Sequence, residues 1–301
     1  MRIGIDLGGT KIEAILLAAD GRELERVRMP TPQGDYEGTV RAVASLVARL
    51  EQSIDEVPTV GIGMPGAMSP ATGLVKSSNS VCLIGNPLDK DLQAAIGRPV
   101  RLTNDANCFA VSEAQDGAGK GAHVVFGVIL GTGVGGGIAI DGHAMTGLNA
   151  ITGEWGHNPL PWPQVLDGID ERPGPACYCG QHGCVETFLA GPWMSHDHKL
   201  HTKQDCSSHD IVAQAEAGDA ACEATLKRYE HRLARAISTV INVIDPDVIV
   251  LGGGLSNIKR LYTNVPKIWD EWIFSDSVTT TMVPNVHGDS SGVRGAAWLW
   301  D

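Results

Sequence analysis

Ile3-Gly4-Ile5-Asp6-Leu7-Gly8-Gly9-Thr10-Lys11-Ile12-Glu13-Ala14-Ile15-Leu16-Leu17 opens the chain and decides its fold class. Apolar residues flank a Gly-Gly-Thr turn, so the stretch predicts a strand, a tight turn and a second strand, and Asp20-Gly21 marks a further hairpin turn. The same order returns later. Val124-Val125-Phe126-Gly127-Val128-Ile129-Leu130 enters Gly131-Thr132-Gly133-Val134-Gly135-Gly136-Gly137, Ile138-Ala139-Ile140 leaves it, and Asp141-Gly142 turns again. Each copy is followed by a second shared unit, a helical pattern and then a strand running into glycines. Val40, Val43, Leu46, Val47 and Leu50 precede Val60-Gly61-Ile62-Gly63-Met64-Pro65-Gly66; Leu226, Leu233, Ile237, Val240 and Ile244 precede Val248-Ile249-Val250-Leu251-Gly252-Gly253-Gly254. Two units recurring in one order predict a duplicated α/β domain with a ligand between the halves.

Composition sets the bounds. The 301 residues suit two domains, and 43% hydrophobic with 19% charged residues is enough to bury real cores. The 37 glycines fall in tight clusters, the pattern of turns and phosphate loops rather than of a flexible linker. A formal charge of −12 without a basic stripe excludes nucleic acid as a partner. It does not exclude a nucleotide, which backbone N–H groups and helix N-termini hold without net positive charge. No apolar run approaches the roughly 20 residues a bilayer requires, so no membrane partner is expected. No signal-type apolar segment precedes the first strand, which predicts a cytoplasmic protein. The seven cysteines are an odd number and three of them cluster among glycines, which reads as metal binding rather than disulfides.

The glycine turns carry chemistry. Gly8 and Gly9 let a backbone approach phosphate oxygens; Thr10 and Lys11 add donors, and Asp6 can hold Mg²⁺ through water. Gly131-Thr132-Gly133 makes a second hairpin of this kind, so the two can grip a polyphosphate, and Gly252-Gly253-Gly254 offers bare backbone to an adenosine before a helix. Cys177-Tyr178-Cys179-Gly180-Gln181-His182-Gly183-Cys184 sets three thiolates in one loop, and a histidine would close a tetrahedral Cys₃His zinc site. His182 is nearest in sequence; His157, in Gly153-Glu154-Trp155-Gly156-His157, is the alternative. Asp105, in Asn104-Asp105-Ala106-Asn107, follows a short strand, where spacing alone favours a helix cap over a catalytic base. The histidine-rich stretch from His196 to His209 reads as a solvated loop or helix end, not a metal tract.

Asp6–Lys11, Gly131–Gly137 and Gly252–Gly254, in that order, resemble the phosphate and adenosine motifs of the superfamily of sugar kinases, heat-shock chaperones and actin. Gly131–His157 with Cys177–Glu186 resembles one branch, the ROK family (repressors, open reading frames, kinases), over nearly the whole chain, including the ending His287–Ala297. The resemblance implies duplicated actin-like ATPase (ribonuclease H-like) domains with an interdomain cleft. One is expected over residues 1–121 plus 290–301, the other over 122–289. It also implies ATP and Mg²⁺ as cofactors, structural Zn²⁺, a hexose substrate and a homodimer. Carried onto this sequence, Asp6, Gly8, Gly9, Thr10, Lys11, Gly131, Thr132, Gly133, Gly253 and Gly254 hold the nucleotide, and Asp105 is the general base. Asn104, Glu154, His157 and Glu186 join Asp105 on the sugar, Gly66 and Asn79 line the same pocket, and His157 joins Cys177, Cys179 and Cys184 on the metal.

Within the family the chain looks most similar to bacterial fructokinases of the fructokinase/mannokinase type, on the run Asn158-Pro159-Leu160-Pro161-Trp162. D-Fructose is therefore the first expected substrate, with mannose, glucose and N-acetylglucosamine as alternatives. A non-catalytic sugar sensor of the same family would carry a helix-turn-helix ahead of the first glycine motif, and that motif starts almost at Met1.

Overall fold

The structure is a computed structural model that describes residues 1–288 and 291–300. Asp289, Ser290 and Asp301 lie outside the described residues, and the expected domain joint before residue 290 falls there.

The first fold repeat starts as a meander: β1 (Arg2–Leu7), β2 (Lys11–Leu17) and β3 (Glu23–Pro30). Helix α1 (Tyr36–Glu51), begun by the Asp35 carboxylate accepting the Gly38 N–H, crosses to β4 (Thr59–Met64). A small hairpin, β5 (Ala67–Met68) and β6 (Val75–Lys76), and α2 (Leu88–Ile96) precede β7 (Arg101–Asn104) and α3 (Asp105–Gln115). The second repeat runs β8 (Val124–Leu130), β9 (Val134–Ile140) and β10 (His143–Ala144). After a ribbon, β11 (Val165–Leu166) and β12 (Ile169–Asp170), come α4 (Glu186–Leu189), α5 (Gly191–Thr202), α6 (Ser208–Glu216) and the long α7 (Ala220–Ile244). The chain then forms β13 (Val248–Gly252), α8 (Leu261–Trp269), β14 (Thr281–Pro284) and α9 (Ser291–Ala297).

The two five-stranded sheets run β3-β2-β1-β4-β7 and β10-β9-β8-β13-β14. Position for position this is one order used twice, with α1 entering β4 as α7 enters β13. The fold is a pair of actin-like α/β repeats. The described chain divides into two compact units, residues 1–127, 137–152 and 286–301 in one and 128–136 and 153–285 in the other. The changes near 127 and 136 fall inside β8 and β9.

In the first unit β2 is buried on both faces, because its side chains alternate. Ile12, Ala14 and Leu16 join the cluster of Val43, Leu46, Val47 and Leu50 from α1, while Ile15 and Leu17 meet Val293 and Ala297 of α9. Each of these larger side chains contributes about 1.5–3 kcal/mol by leaving water. Helix α9 also meets α3 with almost no gap: a Cβ at Gly295 would lie 1.6 Å from the Cys108 carbonyl oxygen.

In the second unit α7 buries Leu226, Tyr229, Leu233 and Ile237, as its periodicity predicts, but also Arg228, Arg232 and Arg235. Arg235 donates to both oxygens of the buried Glu171 at 2.8 Å, and Arg232 Nε donates to it at 2.7 Å. The histidine-rich stretch holds a largely exposed loop, residues 203–207, and exposed His196 and His209, as expected of a loop or helix end, but this is not its whole character. It forms α5 and α6, and α5 turns a polar face inward: Asp197 pairs with Arg228 and Arg232 at 2.8 Å, and buried His198 meets the Thr225 hydroxyl at 2.9 Å. Among the described residues no helix is long and apolar enough to cross a membrane.

Candidate active site and metal centre

The first unit presents Asp6, the Gly8–Thr10 turn and the strand end that carries Asn104 and Asp105. The turn between β1 and β2 is held from outside: the Thr31 hydroxyl donates to the Gly8 carbonyl at 2.7 Å, and the Thr31 N–H donates to the Thr10 carbonyl at 3.0 Å. Gly8, Gly9 and Thr10 line a cavity of about 370 Å³ together with Asn79. Asn79 thus stands beside the Gly8–Thr10 turn. Gly66 stands elsewhere, with φ +81°, and its carbonyl accepts the Asn104 Nδ2 at 3.2 Å.

Asn104, not Asp105, caps α3, its Oδ1 accepting the Ala106 N–H at 2.9 Å. Asp105 is exposed at the first helical position, and its Oδ1 also accepts the Ala106 N–H, at 2.8 Å. Burial, then the charges of Asp105 and Glu13, push the Asp6 carboxyl up to about 6, against the pull of Lys11. A crowded carboxylate of this kind fits a divalent cation, whose charge removes the repulsion. The Lys11 ammonium lies 3.6 Å from Glu13, which also binds Arg26 and Arg28.

The second unit carries the other turn. The Gly131 N–H closes onto the Gly133 carbonyl at 3.0 Å, and the Gly191 N–H donates to the Gly131 carbonyl at 2.8 Å. Gly131, Thr132 and Gly254 line one cavity of about 790 Å³ with Ser195, Ser207 and Leu255. Gly253 packs behind it: a Cβ there would lie 2.4 Å from the Leu130 carbonyl. The helix that Gly254 opens is a short 3₁₀ turn, Gly254–Asn257. The α-helix starts only at Leu261.

The thiol loop is a compact cage. Its ends are zipped by isolated bridges, Pro159 to Cys184 and Ala176 to His182, and the Cys177 N–H donates to the Gln181 carbonyl at 2.8 Å. One ligand atom from each of His157, Cys177, Cys179 and Cys184 lies within 4.8 Å of the others. Cys177 Sγ is 3.6 Å from His157 Nδ1, and Cys179 Sγ is 3.6 Å from Cys184 Sγ. A tetrahedron with zinc–sulfur bonds of about 2.3 Å and a zinc–nitrogen bond of about 2.0 Å has edges of about 3.5–3.8 Å, so the set fits that ion. Burial and the two neighbouring sulfurs push the Cys184 thiol up, which a cation would reverse. His182 is exposed and outside the group.

His157 uses Nδ1 toward the sulfurs. Its Nε2 meets the Tyr178 hydroxyl at 3.0 Å, the rings edge to face with centroids 5.2 Å apart. Partial burial of the phenol, then the charges of Glu186, Cys177 and Glu154, push Tyr178 up to about 12. Sequence reasoning passed over Tyr178; its place between two ligand cysteines was the available signal. Glu154 is exposed just before the 3₁₀ turn Trp155–His157, and Glu186 opens α4.

The run 158–162 serves the backbone. The Asn158 carbonyl accepts the Val185 N–H at 2.8 Å, the Leu160 N–H donates to the Gly183 carbonyl at 2.8 Å, and the Pro161 carbonyl accepts Arg235 Nη1 at 3.1 Å. Leu160 is buried, and Trp162 packs on Trp272 with centroids 5.1 Å apart. The stretch straps the thiol loop to α7, so its composition is a weak guide to the sugar.

Comparison with known proteins places the chain. The ROK family model matches residues 2–301. The N-acetyl-D-glucosamine kinase of Escherichia coli (strain K12) is 39% identical over 301 residues, 99% of each chain. Among solved structures, the ROK hexokinase from Thermus thermophilus superposes with a TM-score of 0.85 at 29% identity, covering 99% of this chain and 97% of that one. A ROK family glucokinase from Streptomyces griseus, in complex with glucose and AMPPNP, gives a TM-score of 0.75 at 27% identity over 99% and 98%.

Proposed function

Since the chain belongs to the ROK family, we propose that it is an ATP-dependent sugar kinase and that its substrate is N-acetyl-D-glucosamine. The observation that carries the choice of sugar is the 39% identity to N-acetyl-D-glucosamine kinases across 99% of both chains. That likeness favours the aminosugar over D-fructose, which rested on residues 158–162.

Phosphoryl transfer passes through a loose transition state, so the work falls to positioning and charge neutralisation. Asp105, exposed at the start of α3, takes the proton of the attacking sugar hydroxyl as the new P–O bond forms and the bond from the γ-phosphorus to the bridging oxygen breaks, its electron pair leaving with ADP. Asn104, held by the Gly66 carbonyl, Glu154, His157 and Glu186 orient the sugar; carboxylates suit this because each oxygen accepts from adjacent hydroxyls. Gly8–Thr10 and Gly131–Gly133 present N–H groups to the phosphates, and the Gly254 cavity receives the adenosine. Asp6 is the residue to hold Mg²⁺, which when bound neutralises the phosphate charge. His157, Cys177, Cys179 and Cys184 are the residues to hold Zn²⁺, which would fix the loop that aims Glu186.

The test is ATP turnover by the purified protein with Mg²⁺ against a panel of hexoses. N-Acetylglucosamine should give the highest kcat/KM. A lead by fructose would restore weight to residues 158–162, and no stimulation by any sugar would leave a non-catalytic sugar-binding protein.

A further inference from the structure

Glu186 has a second task, and it is written on the phosphate turn. Its Oε2 accepts the Val134 N–H at 2.9 Å, and a Cβ at Gly133 would lie 2.7 Å from the same oxygen. The turn that contains Gly131, Thr132 and Gly133 is therefore shaped around this carboxylate. Two neighbours hold the strand just beyond it: the Trp155 indole N–H donates to the Gly135 carbonyl at 2.9 Å, and Gly156 lies so close to the Val134 carbonyl that a Cβ would come within 2.2 Å of it. Glu186 itself is fixed from behind, because Val185 is bonded to Asn158 and Cys184 is bridged to Pro159.

We infer that Glu186 is a positioning residue for the second phosphate turn: it sets the turn's shape through the Val134 N–H, and so ties nucleotide affinity to the thiol loop that carries it. The inference rests on the sugar-kinase reading, in which this turn grips phosphates and Glu186 also meets the sugar. A carboxylate accepting a backbone N–H is a charge-assisted bond, stronger than a neutral one. Its loss releases a glycine-rich turn to conformations that hold phosphates less well.

The experiment measures the dissociation constant of a non-hydrolysable ATP analogue with Mg²⁺ on the full chain, by calorimetry, with no sugar present. Glu186→Ala should weaken the analogue about tenfold. Glu186→Gln, whose amide oxygen still accepts the Val134 N–H, should restore it to within about threefold. Glu186→Asp keeps the charge but is one methylene shorter, and should resemble the alanine variant; it serves if that variant does not fold. Chelation of the metal from the wild type should weaken the analogue in the same direction. Unchanged analogue affinity in folded Ala and Asp variants, with only the sugar KM raised, would overturn the inference and leave Glu186 a sugar contact. A wild type that binds no nucleotide would overturn the kinase reading itself.

Discussion

His157 faces the three sulfurs with Nδ1 and gives Nε2 to Tyr178, 3.0 Å away. The phenol, on a largely exposed residue, occupies the nitrogen that the proposed contact to the sugar would use. Tyr178→Phe removes that competitor. One neutral hydrogen bond is worth about 0.5–1.5 kcal/mol net, so the sugar KM should fall about two- to tenfold with kcat little changed. Steady-state kinetics decide; a raised KM would make Tyr178 a sugar contact in its own right.

Cys179→Ser removes one thiolate from the group of four. The wild type should carry one zinc per chain by elemental analysis and the variant almost none, with a lower unfolding temperature. Full metal content with unchanged stability would remove Cys179 from the ligand set.

Asp105→Asn keeps an oxygen able to accept the Ala106 N–H, now at 2.8 Å, so α3 should begin as before. Turnover should fall about 10²–10⁴-fold while the sugar dissociation constant stays near the wild-type value. Activity within threefold of wild type would deny Asp105 the role of base.

Asp116 sits between His287, 3.0 Å away, and Arg294. The hydrogen bond to Asp116 raises the His287 pKa; burial works against Asp116, yet His287 and Arg294 hold it below its ordinary value. The histidine's contribution to stability is complete below its ordinary pKa of 6.5 and is lost as pH rises through the raised value. That of Asp116 is present above 3.8 and is lost as pH falls through the depressed value. In urea unfolding, His287→Gln should therefore cost more at pH 5.5 than at pH 9. An equal cost at both would show that the imidazolium adds nothing.

The duplicated sheet was legible because its signal is local: apolar runs around Gly8-Gly9 and Gly131-Thr132-Gly133 are read within a few residues, and their recurrence gives the order. The thiol cluster was legible for the same reason. What escaped was set by partners far apart in sequence. The apolar periodicity of α7 says nothing of Arg232 and Arg235, which Glu171, 61 and 64 residues away, makes interior residues. His198 was placed in solvent until Thr225 supplied its partner. The run 158–162 is a weak guide to the sugar because its residues make backbone bonds to Gly183, Val185 and Arg235, which composition does not display. Tyr178 was hidden by being an ordinary spacer between ligands.

The chain passes from one compact unit to the other four times, twice within the single strands β8 and β9. Neither compact unit is therefore one uninterrupted stretch of sequence, and no single cut of the chain separates them.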